Sequence, residues 1–293
     1  ALLLRFLCMA SPLLHKNPIN KAAVANGVKF FMRNFIVFIL ILISQAGTAD
    51  TFDAAQFMSA HKLSLFDLNK MPDRQFFENQ QHVIITPEGL SLSSEWQKTN
   101  QTTLRIGDVE YIGTNKGEWG GKLEAVVAGK RRELMEGNIV HLLPLDGKLY
   151  VIEGLAHLSM ASGSISVIEN IENPSKPKLI TKLPDAPDLV YLDKTRSDFQ
   201  RIIIVGSKSI ISLGPYMTPE ILYWDAFWHI NLNPTSIVRY KDNYFIGLPH
   251  GVAVVPAPWG ESSKYCREHP NAAEKHCLKV QFYADHEFNK RVN

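Results

Sequence analysis

Four short runs, each ending in glycine, recur along the chain: Val109-Glu-Tyr-Ile-Gly113, Leu149-Tyr-Val-Ile-Glu-Gly154, Ile202-Ile-Ile-Val-Gly206 and Tyr244-Phe-Ile-Gly247, with the glycines 41, 52 and 41 residues apart. Each is followed by a second run of strand character: Lys122 to Val127, Ser164 to Ile168, Ser209 to Leu213 and Val252 to Val255. Further short runs complete the units, Lys178 to Leu183 and Glu220 to Tyr223, and then Ile139 to Leu145, Leu189 to Leu192 and Ser236 to Tyr240 lead into the next. His82 to Ser93, with Pro-Glu-Gly in its middle, reads as one more strand, turn and strand. A lone four-stranded sheet leaves a face in water, whereas such sheets packed radially bury both faces against their neighbours. A glycine closing the second strand permits a close approach or a positive-φ turn that a Cβ would forbid. The longest interval is taken up by Asn173-Pro-Ser-Lys-Pro177 and the polar stretch Asp193 to Asp198, both with turn composition.

Four strands per 40–50 residues, with the phrases Gly117-Glu-Trp-Gly-Gly121 and Gly154-Leu-Ala-His-Leu158, resemble the β-propeller superfamily, in particular exported bacterial proteins built from degenerate blades. The resemblance covers about residues 82–290 and implies an all-β, propeller-like fold of about five blades, the first irregular. Repeated Trp-Asp dipeptides and a Ser-x-Asp-x-Gly box are absent, so no functional residue is carried over. A β-sandwich is the competing architecture, and the even glycine spacing disfavours it.

Residues 1–49 differ in kind: they hold no Asp or Glu, five Lys/Arg, and the apolar run Phe35 to Ile43 before Ser-Gln-Ala-Gly-Thr-Ala49. Met32-Arg33-Asn34 followed by that run has the charged, apolar and small-residue regions of a secretory signal peptide, with Met32 as the expected start and export to the periplasm or medium as the consequence. Nine apolar residues are short for a span of about 30 Å, so no membrane span is expected after cleavage. Without the leader the balance is 26 basic to 29 acidic residues, since five of the 31 basic ones belong to it. That mild acidity argues against nucleic-acid binding. Residues 50–81 carry broken helical spacing and read as a helix or cap on the domain at 82–293.

Cys8 falls in the leader, which leaves Cys266 and Cys277 to form a disulfide in an oxidising compartment. Cys266-x-x-His269 and His276-Cys277 could instead hold zinc, but the spacing is not that of a finger and export favours the disulfide. No other motif asks for a metal or cofactor. There is no Gly-x-Ser-x-Gly elbow, phosphate-cradling glycine loop or His-Glu-x-x-His.

A radial fold places functional groups on loops at one face. Glu118-Trp119 between glycines offers a carboxylate and an aromatic platform, or else a tight turn with Trp119 packed on a neighbour. His157 and His250, in equivalent loops, are candidates to converge as ligands or proton carriers, or are hydrogen-bonded structural groups. Tyr216, Tyr223, Trp224, Phe227 and Trp228, with Asp225 and His229, form the densest aromatic cluster: contact surface where exposed, core where not. The expected function is a non-catalytic, monomeric, exported binding module that recognises a protein or cell-envelope component, with an immunity or inhibitor role as one form. The alternative is a glycan-acting hydrolase using Glu118, His157, Asp225 and His250 as acid and base. Convergence of Glu118, His157 and His250 on one pocket would favour the enzyme; scattered groups and exposed aromatics would favour the binding module.

Overall fold

The computed structural model describes residues 53–71, 81–86, 88–93, 99–158, 160–195, 200–229, 232–241, 243–257 and 280–292. The signal-peptide reading of residues 1–49 and the Cys266–Cys277 pairing lie outside the described residues.

The fold is all-β and propeller-like. A hairpin, β2 (His82–Thr86) and β3 (Gly89–Ser93), precedes four sheets of sequential antiparallel strands. The first of these sheets is β4 (Gln101–Ile106), β5 (Val109–Asn115), β6 (Gly121–Val127) and β7 (Lys130–Glu136). Then come β8 (Ile139–Leu145), β9 (Lys148–His157), β10 (Met160–Ile168) and β11 (Lys178–Leu183). The third sheet is β12 (Pro187–Asp193), β13 (Arg201–Gly206), β14 (Ser209–Leu213) and β15 (Pro219–Trp224). The fourth, β16 (Ser236–Tyr240), β17 (Asn243–Leu248), β18 (Gly251–Pro256) and β19 (Gln281–Ala284), takes β1 (Ser64–Leu65) as a fifth strand on its outer edge. A helix α1 (Ala54–Ala60), capped by the Asp53 carboxylate on the Ala55 and Gln56 N–H groups, precedes β1. A second helix, α2 (His286–Val292), follows β19.

The first strand of each sheet is the inner one. β4 packs on β8, β8 on β12, β12 on β16, and β16 on β2, so the hairpin occupies the fifth place in the series. Successive side chains along a strand face opposite interfaces. In β13 the fully buried run Ile202-Ile-Ile-Val205 sends Ile202 and Ile204 to the core shared with Ile152 and Ile165, and Ile203 and Val205 to the core shared with Tyr244, Ile246 and Phe282. Each such side chain contributes about 1.5–3 kcal/mol by leaving water. A third core joins Tyr111 and Leu123 to Leu142, Leu149 and Val151.

The recurrent glycines serve close approach rather than turns, since none of the four has a positive φ. A Cβ on Gly113 would lie 2.5 Å from Cγ2 of Ile139, the first residue of β8. At Gly154 it would collide with Cδ of Pro187, the first residue of β12, and at Gly247 with the carbonyl of Gln81, just ahead of β2. At each of these three places the glycine lets the next sheet begin.

Candidate functional site

Two side chains fix the loops on one side of the ring. Asn138, between β7 and β8, accepts from the Lys116 N–H (3.2 Å) and donates to the Gly117 carbonyl (2.8 Å), holding the β5–β6 loop. Asp185, fully buried between β11 and β12, accepts from the Ser207 and Ser209 hydroxyls (2.6 Å each), the Lys208 N–H (2.9 Å) and the Ala186 N–H (2.8 Å), which sets the β13–β14 turn. A buried carboxylate is tolerable there because its oxygens are satisfied.

These loops bound a cavity of about 560 Å³ whose lining includes Asn115, Ala156, Leu158, Asp188, Lys208 and Asn233. A second cavity of about 260 Å³ shares Asn115, Asp188 and Asn233 and is otherwise lined from the starts of the inner strands: Gln101 on β4, Val140 on β8 and Leu189 on β12. The two together mark the mouth of the ring.

One wall is a tongue. β8 pairs with β9 no further than Glu153, and β11 meets β10 from Gly163 on, yet β9 and β10 remain paired to His157↔Met160. The tract Gly154 to Ser162, which in the sequence has the look of a decorated turn, is therefore a two-stranded ribbon that outruns its sheet. Directly opposed residues share a face. Gly154, Gly163, Ala156 and Ala161 are thus on one face, where a Cβ on Gly163 would lie 2.6 Å from Pro187 Cδ. At the tip Leu158 has φ +54° and is 92% exposed, and Met160 is 72% exposed.

The neighbouring β5–β6 loop, with Gly117–Trp119 as a single 3₁₀ turn, stands beside β9. Glu118 Oε2 lies 3.4 Å from His157 Nε2, both side chains close to half exposed, and Trp119 projects at 82% exposure. Glu118 and His157 therefore meet, and Trp119 stands with the tongue tip. Across the cavity the Lys208 ammonium lies over the half-exposed Trp224 ring at 4.7 Å, and Asp225 occupies the following turn at φ +60°. Burial, reinforced by the Asp225 charge, pushes the Tyr223 hydroxyl above its ordinary range.

Two remaining candidates serve the fold: Trp228 is a core residue that also backs the larger cavity, whereas His250 lies away from both cavities. Trp228 is buried against Tyr223 and Phe227, and its indole N–H donates to the Gly206 carbonyl at 3.0 Å. His250 is fully buried in the β17–β18 turn at φ +62°, with Nδ1 3.0 Å from Asp285 Oδ2 and its ring against Phe288. It lines neither cavity. His250 and Asp285 tie that turn to the start of α2, since the Asp285 N–H also donates to the His250 carbonyl. Tyr216 is 93% exposed. Asp188, Asn233 and the tip residues Leu158 and Met160 were not singled out by sequence reasoning. Small residues carry almost no hydropathy alternation, so the length of the tongue left no periodic signal. No group of three or more His, Cys, Asp or Glu positioned for a metal occurs among the described residues.

No family model matches the chain, and no curated protein matches it. Among solved structures, a bifunctional GH43-CE protein of Bacteroides eggerthii aligns with a TM-score of 0.32 and 11% identity over 54% of this chain, which spans 23% of that one.

Proposed function

We propose that the chain is an exported binding module that recognises a protein, or another component of the cell envelope, through the face formed by the tongue and the β5–β6 loop. The observation that carries this reading is the exposure of Leu158 (92%), Trp119 (82%) and Met160 (72%) on two neighbouring projections beside one cavity. Large apolar groups so exposed and so grouped are what an interface anchors on. Leu158 also adopts a left-handed backbone conformation that disfavours any residue with a Cβ, by about 1–2 kcal/mol. A protruding apolar hairpin suits a role as a plug, and an immunity or inhibitor function, with the hairpin tip seated in a partner's cleft, is the form we favour. The module acts as a monomer in the periplasm or outside the cell.

A glycan-acting hydrolase has one observation in its favour, the approach of Glu118 to His157 at 3.4 Å. Against it, His250 is committed to Asp285 in the core. The test is capture from envelope extract by the immobilised protein, in parallel with Trp119→Ala and Leu158→Asp variants and with a glycan-hydrolysis panel. One component retained in equimolar amount, and weakened by about 30-fold or more in each variant, is the expected result. Retention indifferent to both substitutions would overturn it, and hydrolysis abolished by Glu118→Gln would install the enzyme instead.

A further inference from the structure

The tongue also borders a third cavity, which shares Gly154 and Leu155 with the larger of the two at the mouth of the ring. Glu153, Ser164 and Lys182 stand directly opposite one another on β9, β10 and β11, so their side chains share one face. They line a cavity of about 450 Å³ together with Asn138, Leu155 and Leu179.

The row is chemically ordered. Ser164 donates its hydroxyl proton to Glu153 Oε1 at 2.6 Å, which orients the carboxylate. The other oxygen, Oε2, rests against Gly137, where any Cβ would collide with it, and Gly137 also holds φ +147°. Glycine at 137 thus makes room for the carboxylate. Two strand spacings, about 10 Å, separate the backbones of Glu153 and Lys182. Lys182 is exposed on a flexible stem. Among the described residues neither Glu153 nor Lys182 enters an ion pair. Asn138 supplies only wall, because both ends of its amide are engaged with the β5–β6 loop. Beside the row lie the half-buried Leu155 and Leu179, the latter 54% exposed. The recess therefore offers an oriented anion, a hydroxyl and a reachable cation along one line, with an aliphatic flank.

We infer that this recess binds a small zwitterion of the α-amino-acid type with an aliphatic side chain. The ammonium sits on Glu153 and donates as well to the Ser164 hydroxyl oxygen, whose own proton is held by Glu153, the carboxylate is met by Lys182, and the side chain lies on Leu155 and Leu179. A ligand with one charge leaves either the Glu153 or the Lys182 end unanswered. The recess shares Gly154 and Leu155 with the cavity beside the partner-binding face but none of that face's exposed anchors, Trp119, Leu158 and Met160, and stands or falls independently of it.

The experiment is an amide NMR titration of the full chain with L-leucine, with isoamylamine as the ammonium-only probe and 4-methylpentanoate as the carboxylate-only probe. The expected result is saturable shifts centred on residues 153, 164, 179 and 182 with leucine, and binding about tenfold or more weaker with either single-charge probe. Glu153→Gln and Lys182→Met should each lose about tenfold for leucine while keeping the native spectrum elsewhere. Lys182 is exposed, so its variant tests the site even if Glu153→Gln perturbs folding. Absence of saturable shifts, equal response to a single-charge probe, or unchanged leucine affinity in Lys182→Met would each overturn the inference.

Discussion

Replacing Arg239 by Met should cost the fold about 3 kcal/mol, because Arg239 completes a buried ionic knot between the third and fourth sheets. Asp193, at the end of β12, and Arg239, on β16, have side chains only 1% and 7% exposed and meet at 2.8 Å. The same carboxylate accepts from the Tyr244 hydroxyl at 2.6 Å and from the Thr195 N–H and hydroxyl at 3.0 and 2.6 Å. Removing one partner of a buried pair typically costs about 3–5 kcal/mol. The three neutral donors that remain on Asp193 hold the estimate to the lower end. For a domain of this size each kcal/mol moves Tm by roughly 2–4 °C, so calorimetry should show a fall of about 6–12 °C. Acidity supplies the control. Desolvation is the largest single influence on Asp193 and raises its pKa, but the bonds from Thr195, Tyr244 and Arg239 together outweigh it and hold the carboxyl below its ordinary range. A depressed carboxyl stabilises the fold above its unfolded pKa, about 3.9, and loses that contribution as pH falls through the lower folded value. The gap between the wild type and Arg239→Met should therefore be widest near neutrality and narrow from about pH 5 downward. A gap under about 1 kcal/mol at neutral pH, or one that stays constant into strong acid, would refute the assignment of the knot as a charged, desolvated pair.

Three further substitutions test the ring and the loops beside the cavity. Gly247→Ala should destabilise by about 1–3 kcal/mol in urea melts, because the new methyl meets the Gln81 carbonyl and the Thr235 hydroxyl where the hairpin β2–β3 joins the fourth sheet; an unchanged midpoint would remove the glycine from the closure argument. Leu158→Asn should raise stability by about 0.5–1 kcal/mol, since Asn tolerates the left-handed turn, whereas Trp119→Ala should stay within about 0.5 kcal/mol of wild type because its ring is 82% exposed. A loss above about 1 kcal/mol in either would mean that the side chain serves the fold and not a partner.

The repeat was legible because blade strands buried on both faces read as near-continuous apolar runs: β9, β13, β17 and β18 stand out, and the glycines of β5, β9, β13 and β17 recur at intervals of 41, 52 and 41 residues. Most of the strands absent from the sequence reading have one face or one edge in water; β19 is the exception, four residues long and buried between β1 and β18. β4, Gln-Thr-Thr-Leu-Arg-Ile, alternates between exposed and half-buried positions and has too little apolar content to announce itself. β7, Lys-Arg-Arg-Glu-Leu-Met-Glu, is an outer edge whose charges discourage pairing with another chain. β1 is two residues long and is defined by its partner β19 rather than by its own sequence. Equivalent loop positions in the sequence suggested that His157 and His250 would face a common space. Only burial separates them: His250 is followed by Gly251, where a Cβ would collide with the Tyr283 carbonyl, and the turn is pulled inward onto Asp285 and Phe288. Such packing from β19 and α2, distant in the chain, leaves no trace in the local sequence.

The tongue is the place where the fold departs from its own economy. On β9 the core members are Leu149, Val151 and Ile152, and on β10 they begin at Ile165; none of the described residues between 154 and 163 belongs to a core cluster. Ordering each backbone residue opposes folding by about 1–2 kcal/mol, and in the rest of the ring that cost is offset by two-sided burial. The ribbon has cross-strand hydrogen bonds, contact with Pro187, and the link from Glu118 to His157 at 3.4 Å to offset it. It then places a leucine at a left-handed turn position, where Gly or Asn would be more stable and a polar side chain better solvated. Left-handed non-glycine residues occur at other turns too, Ala128 and Met217 among them, but at the tongue the strain coincides with large exposed apolar side chains and no core, which is the combination the proposed contact would account for. The contact that would make Leu158 and Met160 favourable is burial of their exposed apolar surface, which under the proposed function a partner surface would supply.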